Sequence, residues 1–328
     1  MADAPRQYDV IIIGGGPAGL AAGVYAARGR HNTVLLEEGV IGGQIALTEA
    51  VENYPGIKSI NGFDLAQEML SQAESYGMQT EYVEVSGIEQ DGDYWLVHTN
   101  GGDFRGKAVI ITAGADYNKL QIPGESALTG KGVSYCATCD AAFFKDQNAI
   151  VVGGGDAAIE EGIYTTRYAS NVTVVHRRDE LRASAILQER AFGNDKMDFK
   201  WNTVVTEVIG DDQVRAVKLK DTVTGEETEM PTDAVFIFIG QTPNSGFIGD
   251  LVPKDAGGHI IVDEWMRTPK PGLFAAGDIR QNSARQVASS VGDGVTAAIA
   301  ADHYISDKFP GTTGKTEGQV AAESIATT

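Results

Sequence analysis

The stretch "YDVIIIGGGPAGLAAGVYAARGRHNTVLLEE", residues 8–38, decides the fold. Its apolar run "YDVIII" predicts a buried β-strand, and "AGLAAGVYAARG" predicts a small-residue helix that ends near Gly29. A second strand, "TVLLE", follows the helix. A glycine-rich turn between a strand and a helix is typical of the βαβ unit that binds a dinucleotide. This stretch therefore predicts a Rossmann-like domain.

The glycine turn and the end of the second strand indicate which nucleotide this unit binds. Glycine has no Cβ, so the backbone can approach a pyrophosphate, which then binds N–H groups at the helix N-terminus. Glu37 ends the strand, where a carboxylate accepts hydrogen bonds from a ribose and repels a 2′-phosphate. Strand alternation lets either Glu37 or its neighbour Glu38 face the nucleotide, but not both. FAD or NAD is predicted, with turn contacts from Gly14, Gly16, Pro17, Ala18 and Gly19.

The same layout returns in "NAIVVGGGDAAIEEGIYTTRYASNVTVVHRR", residues 148–178. Glu37 lies 23 residues after Gly14, and His176 lies 23 residues after Gly153. The glycine turn and the end of the second strand thus keep one spacing in both copies, which indicates a duplicated architecture.

The segments that follow each copy are also alike. Residues 80–99 and 199–221 alternate between apolar and polar side chains, and each stretch precedes a last apolar strand that stops at a glycine, Gly114 or Gly240. We therefore predict an α/β protein with two Rossmann-like dinucleotide-binding domains of the three-layer ββα type, each with an inserted antiparallel β-meander.

The two copies differ at the position that reads the ribose. His176 stands where the first copy has Glu37, and Arg177, Arg178 and Arg182 follow it. Guanidinium groups bind a 2′-phosphate well, so this copy favours NADPH. The alternative is that "HRRDELR" is a solvated helix start with internal ion pairs. The predicted turn contacts in this copy are Gly153, Gly155, Asp156, Ala157 and Ala158.

Composition excludes several classes of function. The chain has 328 residues, enough for about two domains, and is 42% hydrophobic and 22% charged. Its formal net charge of −19 repels nucleic acid and anionic lipid. The N-terminal "MADAPRQYDV" lacks a basic segment followed by an apolar one, and no run is long and apolar enough to span a bilayer. We predict a cytoplasmic protein without nucleic-acid or membrane partners.

Both cysteines lie in "SYCATCD", residues 134–140. A CxxC pair in a reducing compartment is more often redox-active or metal-binding than structural. The five histidines are scattered singly, so the ligands for zinc are missing and no metal is predicted. One cysteine of such a pair commonly has a lowered pKa while the other resolves the mixed disulfide. Asp140 is either a proton donor to these thiols or a helix N-cap, and the two roles are compatible.

A further candidate site lies near the C-terminus, in "GLFAAGDIR", residues 272–280. An aspartate behind a glycine at a strand end, here Gly277 and Asp278, can bind sugar hydroxyls of a second nucleotide portion. The helix that follows can direct its N-terminus at a flavin carbonyl. Taken alone, the segment could equally be a turn and a cap.

Together these motifs resemble the low-molecular-weight thioredoxin reductases, a group within the FAD/NAD(P)-linked pyridine nucleotide-disulfide oxidoreductases. Besides both glycine turns, the likeness rests on Gly42-Gly43-Gln44 and on the strings "VENYPG", "CATCD", "HRRDELRAS", "GLFAAGD" and "RQVASSVGDG". They occur in the order and spacing of that family.

The resemblance implies a homodimeric flavoprotein that passes electrons from NADPH to FAD, to the CxxC disulfide, and on to thioredoxin. It implies a discontinuous FAD-binding domain, 1–118 with 248–328, and an NADPH-binding domain, 119–247, that carries the cysteines. Residues 306–328 are expected to be a mobile tail. The family pattern adds these FAD contacts: Gly43, Gln44, Asn53, Gly114, Gly277, Asp278, Arg285, Gln286 and Val287.

The resemblance also implies roles for the redox residues. Cys139 would be the thiol nearest the flavin, Cys136 would attack the disulfide of the partner, and Asp140 would protonate a leaving thiolate. The chain departs from the family at "DAAFF", where a glycine-aromatic pair is more usual, and at Gln241, where many members have histidine.

Two other functions suit the same residues. The first is an FAD-dependent dithiol oxidase that passes electrons to oxygen. Arg177, Arg178 and Arg182 disfavour it, because such an enzyme does not need to bind the 2′-phosphate of NADPH. The second is a nucleotide-binding redox sensor without turnover. Oxygen consumption without an NADPH response would favour the oxidase, and tight FAD binding without turnover would favour the sensor.

Overall fold

The structure is a computed structural model that describes residues 4–48 and 51–311. The chain divides into two compact units, Met1–Asp116 with Thr242–Thr328, and Tyr117–Gln241. The α-helices are α1 Pro17–Arg28, α2 Gly62–Ser75, α3 Ala137–Asp140, α4 Asp156–Thr165, α5 Ala185–Phe192 and α6 Val287–Lys308.

The strands alternate with these helices along the chain. They are β1 Arg6–Ile13, β2 Thr33–Glu37, β3 Gln79–Tyr82, β4 Val85–Asp91, β5 Tyr94–Thr99, β6 Phe104–Ile111, β7 Ala115–Tyr117, β8 Val133–Ser134, β9 Asn148–Gly153, β10 Asn171–Val175, β11 Met197–Lys200, β12 Thr203–Gly210, β13 Val214–Asp221, β14 Glu227–Pro231, β15 Ala234–Phe238, β16 Gln241–Pro243 and β17 Leu273–Ala275. Strands β7 and β16 form a two-stranded sheet.

The first unit is built on one seven-stranded sheet of order β3-β2-β1-β6-β5-β4, with β17 also paired to β6. Strand β6 joins its two parts. The start of β6 pairs antiparallel with β5, as at Gly106 and Trp95, and its end pairs parallel with β17, as at Ile110 and Phe274. The apolar residues of β1, β2 and β6 are buried almost without exception, as expected for parallel strands covered on both faces.

Helices α1 and α6 pack against each other in this unit. Both are rich in alanine and glycine, which lets their backbones approach closely. A Cβ added at Gly294 of α6 would lie 2.8 Å from the carbonyl carbon of Ala18 in α1 and nearer still to its oxygen. Small residues at this crossing therefore set the position of the α6 N-terminus relative to the first glycine turn.

The second unit repeats the plan with its two sheets separated. Its parallel sheet has the order β11-β10-β9-β15-β8, and β12-β13-β14 form an antiparallel sheet of their own. The predicted α/β class with two Rossmann-like sheets and antiparallel insertions is confirmed.

One detail of the predicted meanders is wrong. Strands β3 and β11 reach into the stretches predicted as antiparallel, yet they pair parallel with β2 and β10 at the edges of the core sheets. Each of these strands pairs with the strand at the free edge of a parallel sheet. The alternation of side chains along a strand carries no information about which edge is free.

Helix α6 runs through Lys308, so the first residues of the expected tail, 306–308, are helical. Phe309 is buried. The rest of that expectation, from residue 312 onward, lies outside the described residues. Within the described ranges no helix is long and apolar enough to cross a membrane.

Candidate functional site

The first glycine turn connects β1 to α1. Gly14 has φ +107°, and a Cβ there would lie 2.5 Å from the carbonyl oxygen of Thr112, so this position excludes other residues. Gly16 is the N-cap of α1, and no atom lies within 4 Å of a Cβ added there. Pro17 begins the helix, and no side chain caps it. Open space at an uncapped helix N-terminus fits a dinucleotide phosphate.

Glu37 lies beside this turn. Its Oε2 accepts the N–H of Gly15 at 2.5 Å, and its Oε1 accepts the N–H of Gly39 at 2.7 Å. The carboxylate is therefore fixed at the end of β2, where a ribose is expected. Glu38, the alternative, is exposed.

Asp278 lies in a 3₁₀ turn directly after β17. Its Oδ1 accepts the hydroxyl of Ser283 at 2.7 Å. Burial raises the pKa of Asp278, and the Ser283 hydrogen bond and the Arg285 charge oppose this in part. Gly277, just before it, has φ +78°.

The N-terminus of α6 gathers several residues of the predicted FAD set. Gln286 is the N-cap and forms a capping box with Ser289, and Val287 is the first helical residue. Asn53 Nδ2 donates to Gln286 Oε1 at 3.2 Å, which joins two motifs that are far apart in sequence. Arg285 precedes the cap and is exposed.

Three other residues of the FAD set lie outside the α-helices and strands of the same unit. Gly43 begins a 3₁₀ helix, and Gln44, the next residue, donates through Nε2 to Asp116 Oδ1 at 2.9 Å. Gly114 follows β6 with φ +66°, and its carbonyl accepts the N–H of Asn244 at 3.0 Å.

An ion pair that sequence reasoning missed connects α6 to the Asp278 turn. Arg280 donates to both carboxylate oxygens of Asp293, from Nε at 2.6 Å and from a terminal nitrogen at 2.9 Å. Asp293 also accepts the N–H of Gly277 at 3.2 Å. An aspartate among the small and apolar residues of a helix was the available signal.

The second glycine turn connects β9 to α4. Gly153 ends β9, and Gly155 is the N-cap of α4, with no atom within 4 Å of a Cβ added there. Asp156, first in the helix, accepts the N–H of Ser184 at 2.6 Å. Ala157 is exposed and Ala158 is buried. This helix N-terminus is also open, which fits a dinucleotide phosphate.

His176 lies against this turn, since a Cβ added at Gly154 would overlap its ring. Burial, and then the charge of Arg182, lower the pKa of His176. Its Nε2 is buried and has no hydrogen-bond partner in the part of the chain that the structure describes. An unpartnered polar atom at this position fits a bound ligand.

Arg177, Arg178 and Arg182 are exposed around His176. Residues 176–182 are not helical, because α5 begins only at Ala185. Within residues 4–48 and 51–311 the three guanidinium groups enter no ion pair. The alternative of a helix start with internal ion pairs is therefore not what the structure contains, and the three cations fit a phosphate.

Cys136 and Cys139 form a disulfide, with their Cα atoms 5.3 Å apart. Cys136 is the N-cap of α3 and Cys139 lies within it. Both residues are partly exposed. Thr138 Oγ1 lies 3.3 Å from the sulfur of Cys136, close enough to donate to a thiolate there. A partly exposed disulfide is open to thiol–disulfide exchange.

Asp140 follows Cys139 at the end of α3. Its Oδ2 accepts the hydroxyl of Ser134 at 2.6 Å. Burial raises the pKa of Asp140, and the Ser134 hydrogen bond lowers it in part. The Asp140 side chain does not cap α3. A carboxyl group that keeps its proton to higher pH suits a proton donor.

Glu161 of α4 is a second carboxyl group that sequence reasoning missed. Its Oε2 accepts the N–H of Thr138 at 3.2 Å, at the start of α3. Burial raises the pKa of Glu161, and the N–H groups of Thr138 and Ala137 lower it in part. The sequence carries no signal for this contact, because it arises from the packing of α4 against α3.

The two departures from the family pattern have clear positions. Ala141, first in "AAFF" after Asp140, is fully buried and packs in one core cluster with Phe236. Its methyl group is therefore accommodated beside the disulfide. Gln241 begins β16, and its Oε1 is buried without a partner among the described residues.

Comparison with known proteins gives one consistent result. A family model described as Pyridine nucleotide-disulphide oxidoreductase matches residues 8–294. The thioredoxin reductase of Bacillus subtilis (strain 168) is 49% identical over 303 residues, which cover 92% of this chain and 96% of that protein. The thioredoxin reductase of Listeria innocua is 48% identical over 308 residues, covering 94% and 97%. The crystal structure of thioredoxin reductase from Streptococcus pyogenes matches with a TM-score of 0.89 at 47% identity, covering 93% of this chain and 100% of that one.

Proposed function

Because the chain belongs to the pyridine nucleotide-disulphide oxidoreductase family, we propose that it is a thioredoxin reductase, which reduces the disulfide of thioredoxin with electrons from NADPH. The observation that carries this proposal is the partly exposed Cys136–Cys139 disulfide, in a chain that also has two strand-turn-helix units with open helix N-termini. The resemblance inferred from the sequence motifs leads to the same enzyme.

The cofactors are FAD and NADPH, as in the family, and when bound they supply the two-electron chemistry that opens the disulfide. We assign FAD to the domain 1–118 with 248–328 and NADPH to the domain 119–247. The carboxylate of Glu37 supports the first assignment because it suits a ribose without a 2′-phosphate. The guanidinium groups of Arg177, Arg178 and Arg182, which enter no ion pair among the described residues, support the second.

We propose that the reduced cysteines act in sequence. The Cys136 thiolate attacks one sulfur of the thioredoxin disulfide, that bond breaks, and a mixed disulfide forms. The sulfur that leaves takes a proton, and we propose that Asp140 supplies it, which is supported by the position of Asp140 directly after Cys139 at the end of α3. The Cys139 thiolate then attacks the Cys136 sulfur. The Cys136–Cys139 bond forms again, and thioredoxin leaves with two thiols and two more electrons.

Partner, assembly and location complete the proposal. Thioredoxin or a thioredoxin-like protein is the acceptor. A homodimer is proposed from the family pattern, and it predicts a mass in solution twice the 34.7 kDa of one chain. A cytoplasmic location is proposed because thioredoxin keeps thiols reduced in that compartment.

The test is a coupled assay on the purified yellow protein. With NADPH and a thioredoxin it should reduce a disulfide dye, and C136S or C139S should each abolish that turnover while FAD stays bound. Full activity in either variant would refute the assignment. Oxygen uptake with a small dithiol and no response to NADPH would favour the oxidase instead, and FAD binding without turnover would favour the sensor.

A further inference from the structure

Ser134 lies two residues before the first cysteine of the redox disulfide and contacts residues on both sides of it. It ends β8, where it is paired in register with Phe236 of β15, and it is 5% exposed. Its Oγ lies 2.6 Å from Asp140 Oδ2, 3.1 Å from the N of Cys136 and 3.2 Å from the carbonyl oxygen of Cys136. One hydroxyl thus reaches the backbone of the first cysteine and the carboxyl group after the second.

While Asp140 is ionised, these contacts cannot all be hydrogen bonds at once. A serine hydroxyl has one proton and two lone pairs. The Cys136 N–H donates to one lone pair. The single proton can then go either to Asp140 Oδ2 or to the Cys136 carbonyl, and both acceptors lie within hydrogen-bond distance.

The two choices match the two protonation states of Asp140. When the carboxyl is ionised, Ser134 donates to Oδ2. When the carboxyl is protonated, Oδ2–H donates to the second lone pair of Ser134, and the Ser134 proton turns to the Cys136 carbonyl. Rotation of one hydroxyl satisfies every group in either state, so the heavy atoms need not move.

We propose that Ser134 is a positioning residue that holds the Asp140 carboxyl in one place in both protonation states, so that proton transfer beside Cys136 and Cys139 requires no side-chain movement. This inference rests on the proposed function, in which Asp140 is the acid.

Other titratable groups near α3 are bonded elsewhere. Glu161, from α4, accepts the N–H of Thr138. Tyr135, next to Ser134, donates its hydroxyl to Glu125 at 2.8 Å. Within the described ranges, Ser134 is the side chain that bonds to the Asp140 carboxylate. Removal of its hydroxyl should therefore change the pKa of that carboxyl group directly.

The experiment measures the pKa of Asp140 in the oxidised holoenzyme, from the carboxyl ¹³C shift of aspartate-labelled protein, with the signal assigned by its absence in D140N. In S134A both forms of Asp140 lose a hydrogen bond, but the charge-assisted bond to the carboxylate is the stronger of the two, so the pKa should rise by about one unit. S134T keeps a hydroxyl, so its Asp140 pKa should stay near the wild-type value. Valine has nearly the same shape as threonine but no hydroxyl, so S134V should raise the Asp140 pKa as S134A does. The pH profile of thioredoxin reduction should show the same shift for S134A and none for S134A in a D140N background.

An unchanged Asp140 pKa in S134A would overturn the inference. If S134A fails to fold, equal pKa values in S134T and S134V would overturn it in the same way. Full turnover in D140N would refute the acid role of Asp140, which belongs to the proposed function. Ser134 would then have no purpose in catalysis, even if the Asp140 pKa in S134A rises as expected.

Discussion

Replacement of Gly294 by alanine should destabilise the first unit, although alanine normally stabilises a helix. Gly294 lies in α6, where a Cβ would lie 2.8 Å from the carbonyl carbon of Ala18 and nearer still to its oxygen. Real Cβ atoms essentially never approach within 3.0 Å of such atoms. The obstacle is backbone, so α1 and α6 must separate to make room.

Gly292 provides the matched control in the same helix. It is exposed, and a Cβ there would have no atom within 4 Å. Both substitutions gain about 1 kcal/mol of helix propensity, so this contribution cancels when the two variants are compared. Overpacking costs about 1–3 kcal/mol. We expect G294A to be less stable than G292A by about that amount, which corresponds to a Tm lower by roughly 2–12 °C.

The assay is thermal unfolding of both variants with saturating FAD, followed by the release of flavin fluorescence. G292A should melt at or above the wild-type temperature and G294A clearly below it. Since the α1–α6 crossing also positions the N-terminus of α6, G294A should lose FAD more readily on dilution. Equal melting temperatures for the two variants would show that the helices move apart at no cost, and the packing argument would be wrong.

Three further predictions concern the redox and nucleotide residues. R182Q should raise the KM for NADPH about tenfold and leave the KM for NADH nearly unchanged, because it removes one charge-assisted bond to the 2′-phosphate. R177Q should have the same effect. Equal changes in KM for both nucleotides would contradict this prediction. Burial raises the pKa of Asp140, so turnover that needs its acid form should fall as pH rises through that pKa. D140N should lower turnover and remove this limb of the pH profile, and a profile of unchanged shape would count against the acid role. C139S should accumulate a mixed disulfide between Cys136 and thioredoxin, visible by mass spectrometry without reductant, whereas accumulation in C136S instead would reverse the two roles.

Local pattern predicted much of the fold. The glycine turns, helix α1 and the repeated unit follow from short-range features, because a strand, a tight turn and a helix leave their marks within about thirty residues. The pairing of β3 and β11 was predicted wrongly, since the choice between a parallel edge and a hairpin depends on which edge is free in the folded unit. Sequence spacing describes neighbours along the chain and carries little information on that choice.

The candidate site shows the same division. Cys136, Cys139 and Asp140 could be selected because their chemistry and spacing are distinctive. Ser134 and Glu161 could not, since a buried serine at a strand end and a glutamate on a helix acquire their roles from the elements that pack around them. Nothing in the residues beside them predicts the contacts of Ser134 with Asp140 or of Glu161 with Thr138.

The packing of α1 on α6 has a consequence for synthesis on the ribosome. Helix α1 is made well before its packing partner α6, and the second unit lies between them in the chain. The unit Tyr117–Gln241 is continuous and is complete before α6 is made. We expect it to fold first during translation, while the apolar face of α1 stays accessible to chaperones. The first unit therefore begins to be synthesised before the second unit, but it can complete its folding only afterwards.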